Sequence, residues 1–240
     1  MFLITCGFLL VSWRLAAGVA DDLARIHVES LGGVERLARL QALRAEGRTR
    51  VQGQEVRFVL WAARPNAVRV ETTAGERVRR QGWDGSEAAP WQQAVVAGVP
   101  KPAGALDEFE ARELRADAEF DDPLVDSARR GYAVDFAGEM TLDGRAVFKL
   151  LVTRHFTEQF TLYLDAETYL IVRRDSTRRF PGGRDAQLVT HYRDFRSVAG
   201  VLLPHRVAVE ADGKALHETV LELVEANPRL APGFFRAPGS

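Results

Sequence analysis

The side chains with which this 240-residue chain could do chemistry are five histidines, two acidic pairs and a run of arginines. Their spacing argues against most of it. His27, His155, His191, His205 and His217 form neither His-x-His nor His-Glu-x-x-His, so the spacing that holds zinc on one strand or helix face is missing. His191 and His205 fall on successive strands and could meet in space, either on a metal or beside carboxylates in a hydrolase. Paired strand histidines are more often incidental. Asp21-Asp22 reads as the start of a mature chain and Asp121-Asp122 as a helix cap. No Gly-x-Ser-x-Gly, phosphate loop or dinucleotide fingerprint occurs, and Pro181-Gly182-Gly183 is a turn between strands. Cys6, the only cysteine, lies in an apolar leader, so the chain beyond it has no disulfide, thiolate zinc site or thiol nucleophile. The expectation is a protein that is not an enzyme, with no cofactor and no metal.

Arg173, Arg174, Arg178, Arg179 and Arg184 crowd one hairpin. A solvated strand edge, where charge blocks unwanted pairing, is favoured over a phosphate or headgroup site. Thirty-two basic residues against 33 acidic ones leave a formal net charge of -1, so no sequence-wide basic field exists to hold nucleic acid.

Phe2 to Trp13 carries no charge, and Gly18 and Ala20 are small residues two apart, the pattern read by signal peptidase before a cut at Asp21. The run is shorter than the roughly 20 apolar residues of a membrane span. No Lys or Arg precedes it, and Arg14 intrudes before the cleavage position. Residues 1–20 are therefore expected to be a signal peptide or an uncleaved N-terminal anchor, and residues 21–240 a single exported domain.

The elements that must position any site follow from periodicity. Leu23, Ile26, His27 and Leu31, then Val34, Leu37, Leu40 and Leu43, recur at helical spacing over Asp21 to Leu43, with a break at Gly32-Gly33. Strands are predicted at Arg44 to Gln52 and at Glu55 to Ala63, where Val56, Phe58 and Leu60 oppose Val59 and Trp61, and around Val68 and Val70. Arg77 to Trp83 and Glu87 to Gln93 are predicted to flank a tight Asp84-Gly85 turn. Val95 to Ala105 reads as a loop, Leu106 to Phe120 as a surface helix, and Asp122-Pro123 as the start of a short helical piece ending near Gly131. Strands resume at Tyr132 to Leu142, Arg145 to Arg154, Glu158 to Leu164, Tyr169 to Thr177, Asp185 to Arg196, Val201 to Glu210 and Ala215 to Glu225. Pro204 is expected at an edge or bulge because it cannot donate a ladder bond. Asn227-Pro228 ends the sheet, and Phe234-Phe235 is expected to tuck back against it.

A sheet of about ten or eleven strands is near the size at which it must curl or close. The fold class is thus mainly β: a curled antiparallel sheet forming a half-open, incomplete barrel covered by helices.

That order of elements is accompanied by specific segments: Gly32-Gly33 with the Leu37-Leu40-Leu43 helix, Ala63-Arg64-Pro65-Asn66-Ala67-Val68-Arg69, Gly82-Trp83-Asp84-Gly85, Asp143-Gly144 through Leu150, Tyr163 through Leu170, Tyr192-Arg193-Asp194-Phe195, Gly200 through Arg206, and Asn227-Pro228. In order and spacing the chain resembles the Lol-type periplasmic lipoprotein carriers (LolA/LolB-like), especially the branch of outer-membrane lipoprotein-sorting proteins. The resemblance spans roughly residues 30 to 238 and implies an incomplete barrel with a hydrophobic cavity under helices. It implies a periplasmic carrier or binder of a lipid or an acylated lipoprotein. Since domains of this fold also serve as envelope sensors, the alternative is a module that binds an envelope or membrane protein. The branch offers no catalytic residue to carry over.

A sixteen-carbon chain exposed to water costs about 12 kcal/mol, so a carrier must enclose it, and a movable helical lid makes enclosure reversible. Candidate liners are Phe58, Leu60, Trp61, Trp83, Trp91, Phe136, Phe148, Leu150, Phe160 and Leu162, although an ordinary sheet core needs the same residues. The resemblance further implies an early-strand arginine that holds the lid through helix carbonyls. Arg48 and Arg50 are the candidates for that part, beside the plainer reading of solvent-facing strand arginines.

Overall fold

The computed structural model describes residues 8–154 and 158–239. Cys6, the first residues of the apolar leader and His155 lie outside the described residues.

Two helices precede the sheet: α1 (Phe8–Leu31) and α2 (Val34–Arg39). The predicted break falls at Gly32-Gly33, whose φ angles of 129° and 86° suit glycine. α1 runs through Ala20 and Asp21 without interruption, and Ala20 is fully buried. Among the described residues no helix is long and apolar enough to cross a membrane.

Two meanders follow. The first is β1 (Ala42–Val51), β2 (Gln54–Ala63), β3 (Ala67–Ala74), β4 (Arg77–Trp83), β5 (Trp91–Val96), and the short β6 (Val99–Pro100) and β7 (Gly104–Ala105). The second is β8 (Tyr132–Leu142), β9 (Arg145–Arg154), β10 (Glu158–Asp165), β11 (Ile171–Arg179), β12 (Asp185–Val198), β13 (Val201–Ala211) and β14 (Lys214–Ala226). All belong to one antiparallel sheet in the order β6-β5-β4-β3-β2-β1-β14-β13-β12-β11-β10-β9-β8, with β7 on β5. First and last strands thus pair in the middle, and the sheet stays open between β6 and β8, the incomplete barrel expected. Between the meanders, α3 (Glu108–Asp117) is capped by Asp107, whose carboxylate accepts the Glu110 N–H at 2.8 Å.

Alternation along the strands assigns the faces. On one side Val68 is buried with Leu106, Ala111, Leu114 and Ala118 of α3 and its flanks, and Leu60, Val70 and Trp83 pack beside them. In the second meander the same layer is α1: Ala20 and Leu23 are buried against Leu150, Val152, Phe160, Leu162 and Leu164. On the opposite face, residues one step out of phase meet the C-terminal segment. Arg69 lies 4.6 Å from the Phe234 ring and is flanked by Trp61 and Trp91, while Trp91 donates to Phe235 O at 2.8 Å. Phe234-Phe235 does tuck back onto the sheet.

Three local expectations are corrected. The predicted tight hairpin at Asp84-Gly85 is a longer loop, and the following strand begins at Trp91 rather than Glu87. Asp84 accepts from Ser86 N–H at 3.1 Å and Trp83 Nε1 donates to Ser86 O and Ala88 O, so the side chains stabilise a loop that the Asp-Gly pair alone does not reveal. The stretch after Val95 is not all loop, because β5 runs to Val96 and β6 and β7 add short pairings to it. Residues 123–131 form successive turns rather than a helix. Pro204 sits within β13 opposite Phe195, but the β13–β14 ladder begins only at Arg206, so the flank beyond Pro204 needs no donor.

Candidate functional site

That missing ladder opens the site. β14 stays with β1 as far as Ala226, whereas β13 leaves β14 at Arg206, and Val201 to His205 diverge from it. The helical corner covers the divergence. A Cβ on Gly32 would come within 2.3 Å of Gly200 O, so only glycine lets the corner rest on the β12–β13 turn. Leu31, Leu37, Leu40 and Val201 are buried together there, with Leu202, Leu203 and Phe195 beside them.

A pocket of about 340 Å³ remains between these helices, β10–β13 and residues 119–123. Its walls are largely apolar, with Leu31, Leu37, Leu40, Phe120, Ile171 and Leu203 prominent. Polar groups also line it: Arg64, Glu119, Asp121, Asp122, His27, Arg174 and Tyr192.

Arg64, just past the end of β2, ties the cover down. Its Nε donates to Leu40 O at 2.9 Å and its Nη2 to Leu37 O at 3.0 Å, carbonyls of the last turn of α2 and of the residue that caps it. Its Nη1 pairs with Asp121, and the guanidinium lies 4.9 Å from the Phe120 ring. One side chain therefore joins the sheet, α2 and the 119–123 segment. Asn227 secures the same helix end: its side-chain oxygen accepts from Gln41 and Ala42 N–H, and its Nδ2 donates to Arg39 O at 3.0 Å.

His27 of α1 is 1% exposed. Its Nδ1 lies 2.7 Å from Tyr169 O, which can only accept, so Nδ1 carries a proton. Nε2 faces Asp122 Oδ1 at 3.3 Å, within ion-pair range but off the line of a hydrogen bond. An unprotonated Nε2 would set its lone pair against a carboxylate, so the imidazolium is the better fit. Burial lowers the imidazole pKa, but Asp122 and the Tyr169 carbonyl outweigh it and hold the value above 6.5. Burial likewise pushes Asp122 up, yet His27, the Leu124 N–H and Arg130 hold its carboxyl below the usual range. Asp122 caps a turn rather than the expected helix, accepting from Leu124 N–H at 2.9 Å, and its pairing with His27 pins that turn to α1.

Of the predicted liners, Leu162 borders this pocket. Leu150 and Phe160 are buried with Leu162 under α1, and Phe136 and Phe148 pack against that cluster. Leu60 and Trp83 lie against α3, Trp61 and Trp91 sit on the opposite face with the C-terminal segment, and Phe58 approaches Gly47. The sheet thus spends most of these residues as core, and α1 fills much of the hollow. Arg48 and Arg50 are exposed, with Arg48 paired to Glu55 and Glu222 rather than to a helix. The helix-binding arginine is Arg64. Arg64 stands in the Ala63-to-Arg69 segment quoted above for the resemblance, with no role assigned to it there.

His191 and His205 do not meet. His191 pairs with Ala208 in the ladder and faces Glu210 at 3.6 Å, while His205 is buried three residues along β13. An odd step puts the two on opposite faces. Among the described residues no group of three or more His, Cys, Asp or Glu is placed to hold a metal. Four of the five arginines of the basic hairpin have carboxylate partners: Arg173 pairs with Asp175 and Arg179 with Asp185 near by, while Arg178 reaches Glu113 of α3 and Arg184 reaches Asp212.

No protein-family model and no curated protein sequence matches the chain. Solved structures do. A DUF1329 family protein from Desulfovibrio piger superposes with a TM-score of 0.59 at 12% identity, over 92% of this chain and 97% of that one. A domain designated outer membrane lipoprotein-sorting protein, from Vibrio parahaemolyticus, gives a TM-score of 0.60 at 12% identity, over 92% and 97%. A LolA superfamily protein from Nitrosomonas europaea gives 0.55 at 14%, over 86% and 96%. With the open sheet, the helical cover and the arginine beneath it already in place, these likenesses show that the chain has a LolA-like fold.

Proposed function

We propose that this protein is an exported, periplasmic carrier or binding protein that holds a lipid, or the acyl chains of a lipoprotein, in the pocket beneath α1 and α2. The observation that carries this reading is the cover itself. An apolar pocket of about 340 Å³ is closed by helices that pack through Leu31, Leu37 and Leu40 and whose shorter member, α2, is also fastened at its end by polar contacts centred on Arg64. Such contacts can be exchanged for water when the helices move, whereas a cover packed only through apolar side chains could not open cheaply. The likeness to a domain designated for outer membrane lipoprotein sorting supports the same compartment and role. Residues 1–20 then act as a signal peptide or N-terminal anchor for the domain over residues 21–240.

Purified protein, stripped of bound lipid and titrated with a fluorescent acyl probe, should take up the probe. Solvent extraction of the protein as isolated should yield lipid by mass spectrometry. Neither probe uptake nor extractable lipid would overturn the reading. A stable complex with an envelope protein, formed whether or not lipid is present, would favour an interaction domain instead.

A further inference from the structure

Arg64 and Arg174 both border the pocket, but the fold employs them differently. The donors of Arg64 are committed to Leu37 O, Leu40 O and Asp121. Arg174, on β11, lies against the Phe160 ring with its guanidinium carbon 4.0 Å from the centroid. Its Nε is buried with no acceptor, and among the described residues its nearest carboxylate oxygen, Glu158 Oε1, is 3.8 Å away. The Tyr192 hydroxyl is its hydrogen-bond neighbour, and the Asp117 carboxylate also feels its charge.

The carboxylates that line the pocket are already engaged. Asp121 is taken by Arg64 and Asp122 by His27, and Glu119 accepts from Arg154 at 2.6 Å and from the Tyr132 hydroxyl at 2.7 Å. The pocket therefore joins an apolar body to one guanidinium that, among the described residues, no carboxylate grips through two parallel bonds and that has only the 3.8 Å pairing with Glu158. A guanidinium held against an aromatic ring in apolar surroundings gains most from an oxyanion that accepts two parallel N–H bonds. Size narrows the choice further. A volume of about 340 Å³ is at the low end of the range of about 300–1,000 Å³ for small-ligand sites, which favours one alkyl chain over several.

We propose that the ligand is a single alkyl chain ending in an anionic head, carboxylate or phosphate, that pairs with Arg174. This rests on the reading of the pocket as a lipid site and names the class of lipid.

The test titrates the delipidated full chain by calorimetry with dodecanoate, dodecyl phosphate and dodecanol, alongside the Arg174→Gln variant. At least one anion should bind once per chain and about tenfold or more tighter than dodecanol. In Arg174→Gln that advantage should vanish while dodecanol affinity stays within about twofold, since only the charged bond is removed. Whichever anion binds tighter names the head. Equal binding of the alcohol and both anions to the unmodified protein overturns the proposal while leaving a lipid pocket intact, and this comparison holds even if the variant fails to fold. Binding of a two-chain phospholipid from vesicles with no binding of the single-chain anions also overturns it. Failure of every amphiphile overturns the pocket reading itself.

Discussion

Arg64 shows how one side chain can fasten a helix and a loop to the end of a strand. Its two hydrogen bonds to the α2 carbonyls are charge-assisted, and its removal also strands Asp121. Arg64→Gln should destabilise the protein by about 2 kcal/mol in urea unfolding, with amide exchange rising first over residues 34–40. If exchange there is unchanged, Arg64 does not fasten the cover. His27 gives a second residue-level outcome, with a sign fixed by linkage. Its folded pKa is raised, so its pairing with Asp122 stabilises fully below its unfolded value near 6.5 and is lost as pH rises through the folded value. Asp122 is depressed, so its share is present above its unfolded value of 3.8 and is lost as pH falls through the folded one. Unfolding free energy should therefore decline as pH rises above 6.5 and through the folded value, and His27→Gln should flatten that limb. An NMR titration placing His27 below 6.5 would contradict the assignment. Neither residue's role was legible in the sequence. Arg64 stood in a segment that marked the resemblance without a role of its own, and His27 sat at a helical core position whose partner lies 95 residues on, a distance that local pattern cannot bridge.

Among the elements, the α1–α2 corner is the most exacting. Gly32 holds φ 129° and faces Gly200 O, so Gly32→Ala should cost more than the dihedral penalty alone. Gly53, also at positive φ but with open space around it, provides the comparison. Gly53→Ala is expected to lose about 1 kcal/mol by thermal or urea unfolding, and Gly32→Ala at least twice that or fail to accumulate. Similar losses at both sites would mean that the corner does not bear on the β12–β13 turn. Gly32-Gly33 was readable as a break because helical periodicity stops there. The Asp84-Gly85 region misled, since a tight hairpin and a loop built on side-chain hydrogen bonds begin with the same dipeptide. Gly82 beside it has a contact reason invisible in one dimension: a Cβ there would press to 2.7 Å from the Trp91 ring.

At the scale of the whole molecule, the two meanders are joined as a sheet through a single ladder, β1 with β14. Gly47 occupies the irregular step of that ladder, where a Cβ would lie 2.1 Å from Val220 O. Gly47→Val should therefore lower the unfolding midpoint sharply and separate the unfolding of the two halves, detectable as two transitions followed by exchange or intrinsic fluorescence. One unchanged transition would show that α3 and the helical cover, not this seam, hold the halves together. The sequence by itself determined the strands, most of their turns and the alternation that gives each strand two faces, because those depend on neighbours one to four residues apart. It also determined the lack of familiar catalytic and metal-ligating motifs, which are matters of residue type and spacing. Only the tertiary structure decided which apolar residues became core and which became wall. That choice turned on α1 lying in the hollow, on β13 parting from β14 at Arg206, and on Arg64 reaching α2. Each is a contact between segments distant in sequence, fixed by packing and loop closure rather than by local preference.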